Sequence, residues 1–210
     1  MKIATIRVQA DATVTASPDQ AVIQISVVTQ APKADDAANT NAQKADRIVQ
    51  ALRKVLNTQT GIRTINYSLT PDYRYPKEGG QPKIVGYTAS NTVEVTTSDL
   101  PKVGDLIDGA VASGANNIQA LRFELKDDAA VAAHALAEAA KKARTKADAI
   151  AEALHLQVVR VISVEEGGPV VVPVQERSFA MAKAEAPAPT PVEAGTIEVQ
   201  ATVTLTVEIR

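Results

Sequence analysis

Residues 197–209 alternate strictly between apolar and polar side chains, and this alternation constrains the fold more than any other feature of the sequence. The polar positions hold Glu, Gln and Thr. Alternate side chains reach opposite faces only in an extended strand, so the segment predicts a β-strand with one buried and one solvated face. Because an isolated strand is unstable in water, the chain must build a sheet around it. The apolar positions are Ile197, Val199, Ala201, Val203, Leu205, Val207 and Ile209.

Two further alternating segments open the chain. The first runs from Ile6 to Val14 and the second from Ala21 to Val27. The tetrapeptide Ser17–Pro18–Asp19–Gln20 separates them and has turn chemistry, because Pro presets its own φ and Asp can bond to nearby backbone. The sequence therefore predicts that the first two strands pair as a hairpin.

Helical periodicity, with apolar residues at steps of three and four, appears in three places. The first helix is expected from about Lys33 to near Gly61, and the second follows Ser98 or Asp99, with Pro101 in its first turn. The third is Ala-rich and opens after Asp127–Asp128, whose charge suits a helix N-terminus. Its predicted apolar stripe is Leu136, Ala140, Ala143, Ala147, Ile150 and Leu154.

Four more strand segments complete the pattern. A second hairpin carries Ile65–Leu69 and Val85–Val95, joined by an exposed connection at residues 77–80. A further strand covers Leu121–Leu125. Residues 158–164 are apolar on both sides, which predicts a strand that is covered on two faces.

The whole pattern predicts an α+β fold with the order ββα-ββα-βα-β-loop-β. We expect a mostly antiparallel or mixed sheet with helices packed on one face, and a single domain over residues 1–210. A Pro-rich loop is expected at about 167–195, because Gly167–Gly168–Pro169 and the run from Ala186 to Pro191 favour extended, poorly packed chain.

Composition excludes several classes of function. The 22 Lys and Arg residues against 24 Asp and Glu residues supply no general attraction to nucleic acid, so we expect no nucleic-acid partner. The absence of cysteine removes disulfides, thiolate nucleophiles and Cys-based metal sites. No apolar run reaches the roughly 18 residues that a membrane helix needs, so no membrane-spanning segment is expected.

Met1–Lys2–Ile3 opens like a signal peptide, but Thr5 and Arg7 interrupt the apolar stretch.

Residues able to do chemistry are few. His134 and Glu138 lie one helical turn apart and supply two metal ligands, but a third ligand is missing. His155, near the end of the same helix, is expected to interact with the terminal carbonyls. We predict no catalytic, cofactor-binding or metal-binding residues and no enzymatic activity. The acid pairs Asp35–Asp36, Asp127–Asp128 and Glu165–Glu166 fall at predicted element ends, where capping and solvation explain them.

Aromatic side chains mark one candidate interaction surface. All four tyrosines fall within the second predicted hairpin, close to Arg74 and Lys83. Aromatic residues beside basic ones can stack nucleotides, but tyrosine also packs well across strands, and we favour a structural or subunit-contact role. An apolar island at residues 178–182 lies within the Pro-rich loop and belongs to the same prediction. The predicted surface consists of Tyr67, Tyr73, Tyr75, Tyr87, Phe179 and Met181.

The order of elements and several short segments resemble the SIMPL-domain family, bacterial envelope proteins catalogued as a domain of unknown function. The resemblance implies a periplasmic or secreted location after removal of a signal peptide, which this sequence then lacks. It also implies a link to oxidative-stress tolerance and, for related antigens, immunogenicity and self-assembly, with no established catalytic residues. The segments are Ser17–Asp19, Ile62–Thr64, Leu69–Tyr73, Gly86–Asn91, Val103–Asp108, Gly114–Asn116, the helix through Lys146–Ala147, and Pro191–Gly195.

Two classes of function follow from these observations. The first is a non-enzymatic, self-assembling envelope protein, a homo-oligomer that supports stress tolerance without a cofactor and associates with the envelope at most peripherally. The second is a binding module that holds a peptide or small apolar ligand on its sheet or in a crevice between subunits. An enzyme ranks third, because neither a nucleophile–base arrangement nor a cofactor loop is present.

Overall fold

The chain folds as an α+β structure whose element order is the predicted one. The computed structural model describes residues 3–57, 61–76, 80–174 and 190–210. A short 3₁₀ turn, Leu100–Lys102, precedes the second helix. The strands of the described residues are β1 (Thr5–Ala16), β2 (Gln20–Ala31), β3 (Ile62–Arg74), β4 (Lys83–Thr97), β5 (Asn117–Glu124), β6 (Val158–Val174) and β7 (Thr196–Ile209), and the helices are α1 (Ala34–Leu56), α2 (Val103–Ala112) and α3 (Ala129–Ala153).

The strands form two antiparallel sheets, where the sequence suggested one. Their orders are β3-β4-β2-β5 and β1-β7-β6, and every pairing between the described strands is antiparallel. The chain divides accordingly into two compact units, residues 19–124 with 190–193, and residues 3–18 with 125–174 and 194–210. The single domain over residues 1–210 stays a prediction.

One face of the four-stranded sheet packs against α1 and α2. Alternate residues of β2, from Ala21 to Val27, meet Ile48 and Leu52 of α1 and Leu106 of α2 in one buried core. Burial of large aliphatic side chains at roughly 25 cal/mol per Å² supplies the main stabilisation of this unit. The one-face packing of helices is therefore confirmed for α1 and α2.

A buried amide joins α1 to two strands of this sheet. Asn41 is fully buried, and its Nδ2 donates to the carbonyls of Val27 and Ala89, both at 2.9 Å. These two residues lie on the neighbouring strands β2 and β4. The two bonds satisfy the Nδ2 donors, while Oδ1 is buried with no partner among the described residues, so the donor side of the Asn41 amide sets where α1 lies along the sheet.

The three-stranded sheet packs against α3 through a stripe whose fully buried members are all alanine. The predicted stripe is right in part: Ala143 and Ala147 are fully buried and Leu136 is half-buried against the same core, but Ala140, Ile150 and Leu154 are exposed. Small side chains let the helix approach β1 and β7 closely along this stripe. The buried stripe is Ala132, Ala135, Ala139, Ala143, Ala147 and Ala151.

The predicted hairpin of β1 and β2 does not form. Strand β1 pairs over its whole length with β7, from Thr5 opposite Glu208 to Ala16 opposite Ile197. Strand β2 is central, with β4 and β5 on its two edges, and so has no edge left for β1. The segment Ser17–Pro18–Asp19 is a crossing between sheets, where the Asp19 amide donates to the Glu124 carbonyl. By contrast, the predicted β3–β4 hairpin is confirmed.

Two further expectations fail in the second half of the chain. Strand β6 continues to Val174 and pairs with β7, so residues 167–174 belong to the sheet and not to a loop. Register shifts between Gly167 and Val170 accommodate the Gly-Gly-Pro segment, because a bulge relieves the pairing that proline lacks. Within the described parts of the chain, the expected cover on both faces of residues 158–164 is not found either, since most of these side chains are exposed.

Candidate interaction surface

The β3–β4 hairpin extends past the end of the neighbouring strand. The last residue of β2, Ala31, pairs with Tyr87, whereas β3 and β4 continue together as far as Arg74 and Lys83. We call residues 71–76 and 80–87 the aromatic arm. With no strand of the described chain beside β4 here, the arm offers both faces to a partner.

Exposed apolar and aromatic side chains cover the arm. Tyr73 lies directly opposite Ile84, and both are half exposed; Tyr75 is 72% exposed. Tyr87, at the base of the arm, is half-buried, and Tyr67 lies just outside it on β3, 51% exposed. The structure therefore gathers the four tyrosines on one hairpin, while Phe179 and Met181 lie outside the described residues. Exposed contiguous apolar surface is typical of a protein–protein contact.

The aromatic arm also carries two cations, Arg74 and Lys83. Arg74 pairs with Lys83 across the hairpin, and like charges directly opposite each other destabilise a strand pair. The one acid of the β3 half, Asp72, accepts hydrogen bonds from the Thr88 hydroxyl at 2.9 Å. Both cations are exposed, so the arm presents positive charge beside its aromatic side chains.

Of the two candidate metal ligands on α3, Glu138 forms an ion pair with a lysine. Lys141 Nζ lies 2.7 Å from Glu138 Oε1. The hydrogen bond from Lys141 and its positive charge lower the pKa of Glu138, and His134 adds a smaller lowering effect. His134 itself is exposed. Within the described parts of the chain, no group of three or more His, Cys, Asp or Glu side chains could hold a metal ion.

Two of the three acid pairs lie at the start of a helix, and the third lies within a strand. Asp35 and Asp36 lie in the first turn of α1, as expected. Asp127 accepts a hydrogen bond from the Ala129 amide at 2.9 Å as α3 begins. Glu165–Glu166, in contrast, lie within β6 and not at an element end, because β6 is longer than predicted; Glu165 pairs with Arg7 of β1.

A depression of about 510 Å³ lies at the C-terminal end of α3. Its lining includes Asp148, Glu152, His155 and Gln157. His155 follows the helix in a left-handed conformation, with φ 57°. Its backbone amide donates to the Glu152 carbonyl, and the Leu156 amide donates to the Ala151 carbonyl. Glycine is the usual residue at such a helix end. The depression is wide and mostly polar-lined, so ligand binding at this chain stays a prediction.

Sequence reasoning missed the buried carboxylate of Glu94 on β4. Its oxygens accept from Gln24 Nε2 at 3.1 Å and from Arg63 Nε and Nη2 at 2.9 and 2.6 Å. The hydrogen bond from Gln24, followed by those from Arg63, lowers the pKa of Glu94 despite its burial. The alternation of β4 was the available signal, since an acid in the middle of a strand needs a partner on each neighbour.

No helix among the described residues is long and apolar enough to cross a membrane.

Comparison with known proteins gives the chain a family. It is 29% identical over 181 residues to the 26 kDa periplasmic immunogenic protein of Brucella melitensis, an alignment covering 84% of this chain and 72% of that protein. It is 32% identical over 156 residues to the uncharacterized protein YggE of Escherichia coli K12, covering 73% of this chain and 61% of that protein. The family described as SIMPL, protein of unknown function (DUF541), matches residues 6–207, and this chain belongs to it.

Proposed function

We propose that this chain is a non-enzymatic, self-assembling protein of the bacterial periplasm that contributes to tolerance of oxidative stress. The aromatic arm carries the proposal of self-assembly. Tyr73, Tyr75 and Ile84 expose half or more of their surface on a hairpin with no neighbouring strand in the described chain. Leaving such groups in water is unfavourable, and contact with another copy buries them.

The remaining parts of the proposal have separate support. The periplasmic location rests on the name of the Brucella relative, and the role in stress on the family resemblance. A non-enzymatic role is supported by the positions of the two histidines, since His134 lies in the first half of α3 and His155 follows its end. Among the described residues, no carboxylate is hydrogen-bonded to either histidine in the way that would orient it as a general base.

The test of self-assembly is sedimentation velocity over a wide range of protein concentration. The natural chain should form an oligomer, and the double variant Tyr73→Ser/Ile84→Ser should weaken it at least tenfold. Val111→Ser/Ile150→Ser is the matched control, because it removes exposed apolar side chains of similar accessibility from α2 and α3. A strict monomer at every concentration contradicts self-assembly, and equal weakening by both double variants contradicts the role of the arm.

The physiological part needs a cellular test. In a bacterium that lacks its own family member, a periplasm-directed form of this chain should restore survival in hydrogen peroxide. The arm variant, expressed at the same level, should restore less if assembly matters to the role. Full sensitivity despite correct export would contradict the stress-tolerance proposal.

A further inference from the structure

The two edges of the three-stranded sheet differ in how their backbone polar groups are protected. At the β1 edge, Lys146 and Lys142 of α3 donate through Nζ to the carbonyls of Gln9 and Asp11, at 2.9 and 3.3 Å. In an antiparallel ladder, carbonyls two residues apart point the same way, and these two are not used by the pairing with β7. Lysine side chains thus satisfy the edge of β1 and keep other strands away.

The β6 edge has no such protection among the described residues. Strand β6 pairs only with β7 and exposes a run of aliphatic side chains, each at least 40% accessible. Helix α3 packs mainly on β1 and β7 and leaves β6 largely uncovered. A long, unpaired, apolar edge strand is a template for pairing with another strand. The exposed residues are Val159, Val161, Ile162, Val164, Val170 and Val171.

The side chains of β6 divide between its two faces according to their partners on β7. Val161 and Val164 pair with Val207 and Leu205, which face α3. Arg160 and Glu165 pair with Glu208 and Thr204, on the opposite face. The register shift at Ile162 makes this arrangement possible, because it changes which face the following residues reach.

This distribution is self-complementary in an antiparallel arrangement. When Val161 of one copy lies opposite Val164 of another, Arg160 lies opposite Glu165, and each pair shares one face of a continuous sheet. Two-fold symmetry then repeats both pairs. Arg160 donates through Nε to Glu208, and Glu165 accepts from Arg7 through Oε2, so the guanidinium retains donors and the carboxylate retains an oxygen for the second copy.

We propose that β6 is a dimer edge, at which two copies of this chain pair antiparallel with Val161 opposite Val164 and join their sheets into one of six strands. This inference rests on the proposed self-assembly and adds a second surface, separate from the aromatic arm. Backbone hydrogen bonds along the edge supply affinity, and the charge pair and aliphatic pair select the register.

Site-directed cross-linking tests the register directly, because the natural chain has no cysteine. Opposed Cα atoms in an antiparallel pair lie about 4.5–5.5 Å apart, within the reach of a disulfide. Two copies of residue 161 would instead lie about 10 Å apart, beyond that reach. A mixture of Val161→Cys and Val164→Cys chains should therefore cross-link on oxidation at least tenfold more than either variant alone. Ile150→Cys on α3 is the control for random collision.

Each outcome of this experiment decides the proposal. Preferential cross-linking of the mixture supports the β6 edge. An oligomer that forms without cross-links above the Ile150→Cys level overturns the edge but leaves self-assembly standing. Equal cross-linking by each variant alone overturns the register. A strict monomer by sedimentation overturns both proposals together.

Discussion

The side chain of Asn116 pairs with both backbone polar groups of Val28. Its Oδ1 accepts from the Val28 amide at 2.9 Å, and its Nδ2 donates to the Val28 carbonyl at 2.8 Å. The side chain thereby takes the place of a strand residue and prolongs the β2–β5 ladder beyond its last pair, Ser26 and Asn117. Gly114, at φ 113°, lets the chain turn from α2 toward this position.

Replacing Asn116 should loosen this end of β2. Asn116→Ala removes two hydrogen bonds to an exposed strand edge, and we expect the free energy of unfolding to fall by about 1–2 kcal/mol, as measured by urea denaturation. The adjacent Asn117→Ala is the matched control, because Asn117 joins the ladder through its backbone, and its effect should stay within about 0.5 kcal/mol. Equal effects of the two variants would show that the side-chain pairing adds nothing.

The alanine stripe of α3 should not tolerate enlargement. Ala143 is fully buried against the sheet, so Ala143→Leu should force the helix away and cost about 1–3 kcal/mol. Ala140→Leu adds the same atoms to an exposed position of the same helix and should change stability by less than about 0.5 kcal/mol. Thermal unfolding by circular dichroism distinguishes them, and a neutral Ala143→Leu would refute the close approach of α3 to its sheet.

Gly61 should be needed where β3 begins. It has φ +83°, and a Cβ there would lie 2.6 Å from the Thr96 carbonyl oxygen, so Gly61→Ala should cost at least about 1 kcal/mol. Gly109→Ala within α2 meets only Val55 at 3.7 Å and should instead stabilise the helix by about 0.5–1 kcal/mol. Opposite signs in the same denaturation assay are expected; a stabilising Gly61→Ala would disprove the strain argument.

Glu94 should make stability depend on pH. Its pKa is lower in the folded protein than the ordinary value of 4.5, so the folded state binds fewer protons than the unfolded state below that pH. The stabilisation is complete above pH 4.5 and is lost as the pH falls through the folded-state pKa.

The measurement is the free energy of unfolding of the natural chain and Glu94→Gln between pH 7 and pH 3. The natural chain should be the more stable at pH 7, and the difference should shrink toward pH 3. Arg63→Met removes one of the two partners and should reduce the same pH dependence. A difference that is constant across this range would refute the role of the carboxylate.

Local patterns were sufficient for the element order and for the β3–β4 hairpin. The periodicities near Ile48, Leu106 and Val203 each depend on neighbours within a few residues, so sequence alone identifies them. The short connection between β3 and β4 also keeps that pairing local, and the four tyrosines followed from it. Pairing between distant segments is different, because the alternation of β1 suits β2 and β7 equally well.

The buried stripe of α3 is a second feature that local sequence patterns could not identify. A period of 3.6 permits several stripes that share Ala143 and Ala147, and hydrophobicity alone favours the one containing Ile150 and Leu154. The space between helix and sheet selects the alanine stripe instead. Likewise, the apolar residues of β6 predict burial, and only the positions of α3 and β7 show that they are exposed.

The sequence by itself determined which segments are strands and helices, the turn chemistry between them, the lack of cysteine chemistry and the position of the aromatic hairpin. Tertiary structure alone decided that the strands form two sheets, that β1 joins β7 and that Glu94 is buried beside Arg63. It also decided that lysines cover one edge of the three-stranded sheet, while no described residue covers the other edge. The physical reason is range: periodicity and turn chemistry act over a few residues. Strand partnership, helix approach and edge protection depend on the packing of segments far apart in the chain.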